Sequence, residues 1–181
     1  MRDKLKPGDI GFARSHNNWL SSAISWFMGS KWSHCFLVLD PDEDRIYISE
    51  TSSFEVWINY LEMYDKDPNA EYVIYSPRVG DADRKKIVEE AMKNHGQTYG
   101  YLQLVSLGIR ALLRKMNIKI GNFIRTGLVC CHHVLYGYTH TDIKGFKGID
   151  PESIDTEETY QLVMQNLNRF EKVAEKEYKG G

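Results

Sequence analysis

Apolar residues change their spacing near residue 80. Before that point they come in short blocks of strand length, separated by turn residues. Pro7-Gly8-Asp9 reads as a turn, followed by a strand at Ile10-Gly11-Phe12-Ala13. An unbroken apolar strand at Cys35 to Leu39, a turn at Asp40 to Asp44 and a returning strand at Arg45 to Glu50 form a hairpin. Further strands are predicted at Phe54 to Tyr60 and at Tyr72 to Tyr75, the latter ended by Pro77. One helix interrupts this half. Apolar residues at 19, 20, 23, 24, 27 and 28 define it, with Asn17 or Asn18 as cap and Gly29 as stop.

The second half is helical. Asp81 to Asn94 is predicted as an amphipathic helix capped by Asp81 or Asp83. A helix at Tyr101 to Met116 gathers Arg110, Arg114 and Lys115 toward its C-terminal end, where they complement the helix dipole. A helix at Cys130 to Tyr138, one at Glu157 to Asn166, and a closing strand at Arg169 to Val173 complete the reading. Strands followed by helices define an α+β fold, expected as one domain over residues 1–181 with its core at about 7–140. The expected architecture is a small antiparallel sheet or half-barrel packed on helices.

Composition narrows the function classes. With 42% hydrophobic and 27% charged residues the chain is an ordinary globular protein. A formal net charge of −2 gives no long-range attraction to nucleic acid or to anionic membrane. The longest apolar stretch, Tyr101 to Leu113, is broken by Gln103, Ser106, Gly108 and Arg110, so no transmembrane segment is expected. The charged start Met1 to Lys6 lacks the apolar region of a signal peptide. Three cysteines, two of them adjacent, do not make a disulfide framework, and a cytoplasmic, reducing setting is expected. Eleven Tyr, seven Phe and four Trp suit either a Tyr-rich core or an aromatic-lined groove.

Candidate chemistry sits in two distant stretches. His34 heads the apolar strand of the hairpin, and Cys130-Cys131 opens a buried helix after Gly127. The first turn of a helix favours a thiolate and offers free N–H groups to a developing oxyanion. Helix register favours Cys131 as nucleophile, because Val134 and Leu135 follow it at three and four positions, whereas Cys130 is followed by His133 and Val134. Cys130 stays open as the alternative, and both could instead be small buried hydrophobes. His34 and Glu50 lie equidistant from a turn centred on Asp42, so they are expected to pair across the hairpin, the carboxylate fixing the imidazole tautomer. Cys, His and Glu are then the parts of a nucleophilic triad.

Four consecutive helical residues point about 100° apart. Cys130, Cys131, His132 and His133 therefore do not close on one ion, and neither a metal nor a cofactor is expected; the two histidines are read as one surface and one supporting residue. Tyr99 and Tyr101, in the Gly96 to Tyr101 loop, are candidates to line a groove or face an oxyanion, as is Asp9 in the first turn.

The order of these parts (a Pro-Gly-Asp-Ile strand, a His at a strand head, a Glu on the next strand, a Gly-x-x-Tyr loop, a late Cys on a helix) resembles the circularly permuted NlpC-type papain-like group, which includes YiiX-like bacterial proteins and lecithin:retinol acyltransferase-like enzymes. The resemblance covers about residues 7 to 140. It implies His34 as base, Glu50 as orienting residue and a Cys of the 130/131 pair as nucleophile. The family's Cys is usually followed by Ser-Glu and two apolar residues; Cys131 is followed by His132-His133-Val134-Leu135, which fits only the apolar part. The resemblance implies a thiol hydrolase of an amide or ester bond, with a peptide, amide or acyl/lipid substrate. Acyl transfer or lipid binding on the same scaffold, or an inactive binding module, are its alternatives. Wall-peptide hydrolysis is a further family activity.

Overall fold

The chain is described by a computed structural model over residues 4–41, 45–51, 55–118, 129–143 and 145–179. Six strands form one antiparallel sheet: β1 (Ile10–Ser15), β2 (His34–Pro41), β3 (Ile46–Thr51), β4 (Val56–Tyr60), β5 (Ala70–Pro77) and β6 (Phe170–Lys176). Their order is β4-β3-β2-β1-β5-β6. The helices are α1 (Trp19–Met28), α2 (Glu62–Lys66), α3 (Asp81–Met92), α4 (Tyr101–Lys115), α5 (Cys130–Thr139) and α6 (Thr156–Gln165), with a 3-10 turn at Pro151–Ser153. This is a mixed α+β fold. The Asp42 to Asp44 part of the predicted turn, Phe54 and Gly127 lie outside the described residues.

Both faces of the sheet are covered, which explains why β2 reads as an unbroken apolar run. Ile10, Phe12, Cys35 and Leu37 face the helical layer and pack with Ile87 of α3, Leu107 of α4, and Val134, Leu135 and Tyr138 of α5. Ala13, Phe36, Val38, Ile48 and Tyr72 face the other side, where Leu61, just before α2, and Tyr64 of α2 close a smaller core. Neither α2 nor the 3-10 turn is visible in the periodicity, because each is too short to repeat an apolar spacing.

Other expectations shift at element ends. α3 is capped by Gly80 without a side-chain cap, and Asp81 and Asp83 lie inside its first turn. α6 begins at Thr156 with a full capping box, Asp155 accepting from the Glu158 amide and Glu158 from the Asp155 amide. The closing strand runs on to Lys176 and pairs with β5.

Candidate active site

Cys130 is the first residue of α5, and α5 packs on β2 and β3. Its amide and that of Cys131 precede the first helical bonds, in which His132 donates to the Val129 carbonyl, so no earlier carbonyl of the helix can take them. β2 begins at His34 and β3 ends at Thr51, which sets His34 and Glu50 close together. The register is not the one expected: Glu50 pairs with Phe36, and the ladder shifts by one residue between Val38 and Asp40. The offset from His34 is two residues. An even offset keeps side chains on one face, and diagonal neighbours are within reach of long side chains. His34 Nε2 and Glu50 Oε2 are 2.9 Å apart.

Glu50 is held by two groups the sequence reading missed. Tyr64 of α2 donates its hydroxyl to Oε2 at 2.6 Å, and Asn59 of β4 donates its amide to Oε1 at 2.8 Å. Asn59 lies two positions from Trp57, the β4 partner of Glu50. The period-two rule could have found Asn59, but nothing in the local pattern signals Tyr64. Burial pushes the Glu50 carboxyl up, but His34, Tyr64 and Asn59 together hold it below the usual range.

The two cysteines differ in their surroundings. The Cys130 thiol and the His34 imidazole shift each other's protonation, each favouring the charged form of the other. Cys131 instead turns its thiol to the Ile154 carbonyl at 3.3 Å. Ranking the residues by apolar neighbours three and four positions on selected the thiol that packs deepest, and that criterion finds core residues. Hydrogen bonds from the Cys131 and Cys35 thiols pull the Cys130 thiol well below its ordinary value against the cost of burial, and the His34 charge adds to them. Cys131 and Cys35 move the other way, pushed up by burial and by the Cys130 charge. Burial alone would lower His34, but Cys130 and Glu50 push it up to about 10. These shifts favour the charged forms of Cys130, His34 and Glu50 alike.

His34 and Glu50 open into a cleft of about 520 Å³, lined also by Ser21, Ile24, Met63, Tyr99 and Leu104. Tyr99 is therefore placed at the site as expected, while the Tyr101 side chain lies outside the described residues. Asp9 is not at the site. It is fully buried in an ion pair with Arg84 at 2.8 Å and accepts the Lys6 amide at 2.9 Å. Burial pushes its carboxyl up, against the pull of Arg84. Neither His132 nor His133 is a surface residue. Both are fully buried and pushed down to about 4 by burial, hence neutral; His133 meets the Ser49 hydroxyl at 2.7 Å and His132 the Gln103 amide at 3.3 Å.

No protein-family model matches the chain, and no curated protein matches it. Among solved structures the chain is similar to the metalloprotein YiiX from Escherichia coli O157:H7, DUF1105, with a TM-score of 0.54 and 14% identity over 94% of this chain and 97% of that one. The fold is thus YiiX-like. A metal does not fit the residues found here. No three His, Cys, Asp or Glu side chains converge as a metal site among the described residues.

Proposed function

We propose that the chain is a thiol-dependent hydrolase of amide or ester bonds, built on a circularly permuted papain-like plan. The observation that carries this reading is the grouping of Cys130, His34 and Glu50: a thiol on the first residue of α5, an imidazole whose charged form it favours, and a buried carboxylate 2.9 Å from that imidazole. The Cys130 thiolate attacks the substrate carbonyl, and the amides at the start of α5 hold the tetrahedral oxyanion. The His34 imidazolium gives its proton to the departing amine or alcohol as the carbon–heteroatom bond breaks, leaving a thioester on Cys130. Neutral His34 then takes a proton from water, the hydroxide attacks the thioester, and the acid product leaves as the thiolate reforms. Glu50 holds the imidazole in place throughout. Asn59 and Tyr64 keep Glu50 ionised.

The test is alkylation by iodoacetamide as a function of pH, read for each cysteine by peptide mass spectrometry. Cys130 is expected to react with an apparent pKa well below about 8.5, and His34→Ala to abolish that shift. Turnover on a panel of amides and esters should vanish in Cys130→Ala and survive in Cys131→Ala. Full turnover in Cys130→Ala would refute the assignment. The apolar side chains of Ile24, Met63 and Leu104 in the cleft favour a second reading, transfer of an acyl group from the Cys130 thioester to an acceptor other than water.

A further inference from the structure

α1 is built inside out. Its buried residues include Ser21, Ser25 and Met28, while Trp19 and Trp26 are 80% and 66% exposed and Phe27 is also turned to solvent. The Ser21 hydroxyl bonds that of Ser33 at 2.6 Å, which explains why a serine faces inward. Beside α1, α4 exposes Leu102, Val105 and Ile109, and Met116 and Ile118 continue the surface past its end. An apolar groove of about 380 Å³ runs between the two helices. Isolated surface hydrophobes need no explanation, but a contiguous face with two exposed indoles does.

The charges on this face are of one sign. α1 has no ionisable residue, and α4 carries only Arg110, Arg114 and Lys115. Arg110 and Arg114 are turned away into Asp155 and Glu158. Lys115 stays with the face, its ammonium donating to the Trp26 carbonyl at 3.0 Å and standing 5.6 Å from the Trp26 ring. Ile24 and Leu104 line both the groove and the cleft.

From this face we infer that α1 and α4 form a docking surface for an anionic phospholipid membrane. Indoles and lysine are the side chains that sit best where apolar and aqueous layers meet, and an exposed apolar helix face lies in that boundary. A face without a carboxylate meets anionic headgroups unopposed. A second copy docked on it symmetrically would set like charge against like. Ile24 and Leu104, shared by groove and cleft, set the cleft that holds His34 beside this face. This surface is independent of the thiol chemistry.

The experiment is flotation of the full chain with vesicles of phosphatidylcholine, with and without phosphatidylserine. Wild type and Cys130→Ala should bind the phosphatidylserine vesicles equally. The double variant Trp19→Ala, Trp26→Ala should bind roughly tenfold or more weakly, given the apolar area removed. Lys115→Glu should weaken binding to phosphatidylserine vesicles more than to neutral ones. Quenching of wild-type tryptophan fluorescence by brominated acyl chains reports insertion without any variant, so a misfolded variant does not remove the test. Absence of flotation and of quenching overturns the inference, as does a double variant that is folded and still binds. A concentration-dependent dimer that the double variant abolishes would give the face to a second copy and overturn it too.

Discussion

At the residue scale, one imidazole carries two electrostatic duties, and its pH behaviour separates them. Because Cys130 is held low and His34 is pushed up to about 10, the thiolate–imidazolium form spans the range between. The alkaline limb of kcat/KM should fall near pH 10, where His34 loses its proton. Glu50→Gln removes one of the charges that raise His34, so that limb should move to lower pH, with activity down roughly a hundredfold. An alkaline limb that stays in place would detach Glu50 from the imidazole. The sign for stability follows. A raised histidine stabilises the fold fully below its ordinary value near 6.5, and that contribution is lost as pH rises through about 10. The depressed Cys130 contributes above the ordinary thiol range and loses its contribution as pH falls through its lowered value. Legibility at this scale was partial. His34, Glu50 and the cysteine pair were visible because each lies at or next to the end of an element. Tyr64 and Cys35 were not, since their meaning lies in contacts between elements that no local spacing encodes.

At the element scale, the site depends on close approaches that leave no room for a side chain. A Cβ on Gly11 would lie 2.1 Å from the Phe36 ring, which stacks on Tyr64, the residue that holds Glu50. Gly11→Ala should cost about 1–3 kcal/mol in chemical denaturation, and by moving Phe36 it should also loosen the Tyr64–Glu50 contact. Gly137 is where α5 meets α3, and a Cβ there would sit 2.5 Å from the Ile87 carbonyl. A second element-level tie is the Asp9–Arg84 pair, which joins the head of β1 to α3, while Arg84 also donates to the Ser76 hydroxyl and the Pro77 carbonyl at the end of β5. Asp9→Ala strands a buried guanidinium and should cost about 3–5 kcal/mol, while the pH profile of Cys130 alkylation in the folded protein stays unchanged. A shifted profile would bring Asp9 back into the site. The spacing of apolar residues located α1 over Trp19–Met28 but did not say which of its faces is buried. Amphipathic spacing shows that a helix has two sides, but not which side meets protein and which meets something else.

At the scale of the whole molecule, β1 lies inside the sheet, between β2 and β5, and β6 is added to β5 from the far end of the chain. Pairings of such long sequence separation fold slowly, on the millisecond-to-second scale expected of non-local sheets. A chain cut before Phe170 leaves β5 as an unpaired edge and should aggregate on refolding, measured by light scattering, while the intact chain does not. The succession of strands and then helices was enough to foresee an α+β molecule. The sheet order was not legible, because it is set by which apolar faces meet across the fold and not by any one segment. The chain order of the site has a further consequence, in the time of synthesis. His34 and Glu50 leave the ribosome first, and Cys130 follows them after roughly ten seconds of elongation. Its reactive form needs the imidazole, the Cys35 thiol and a docked α5 together. On the proposed chemistry, the nascent protein therefore carries no activated sulfur until most of its sheet has been made, and completion of the fold is what switches the Cys130 thiol on.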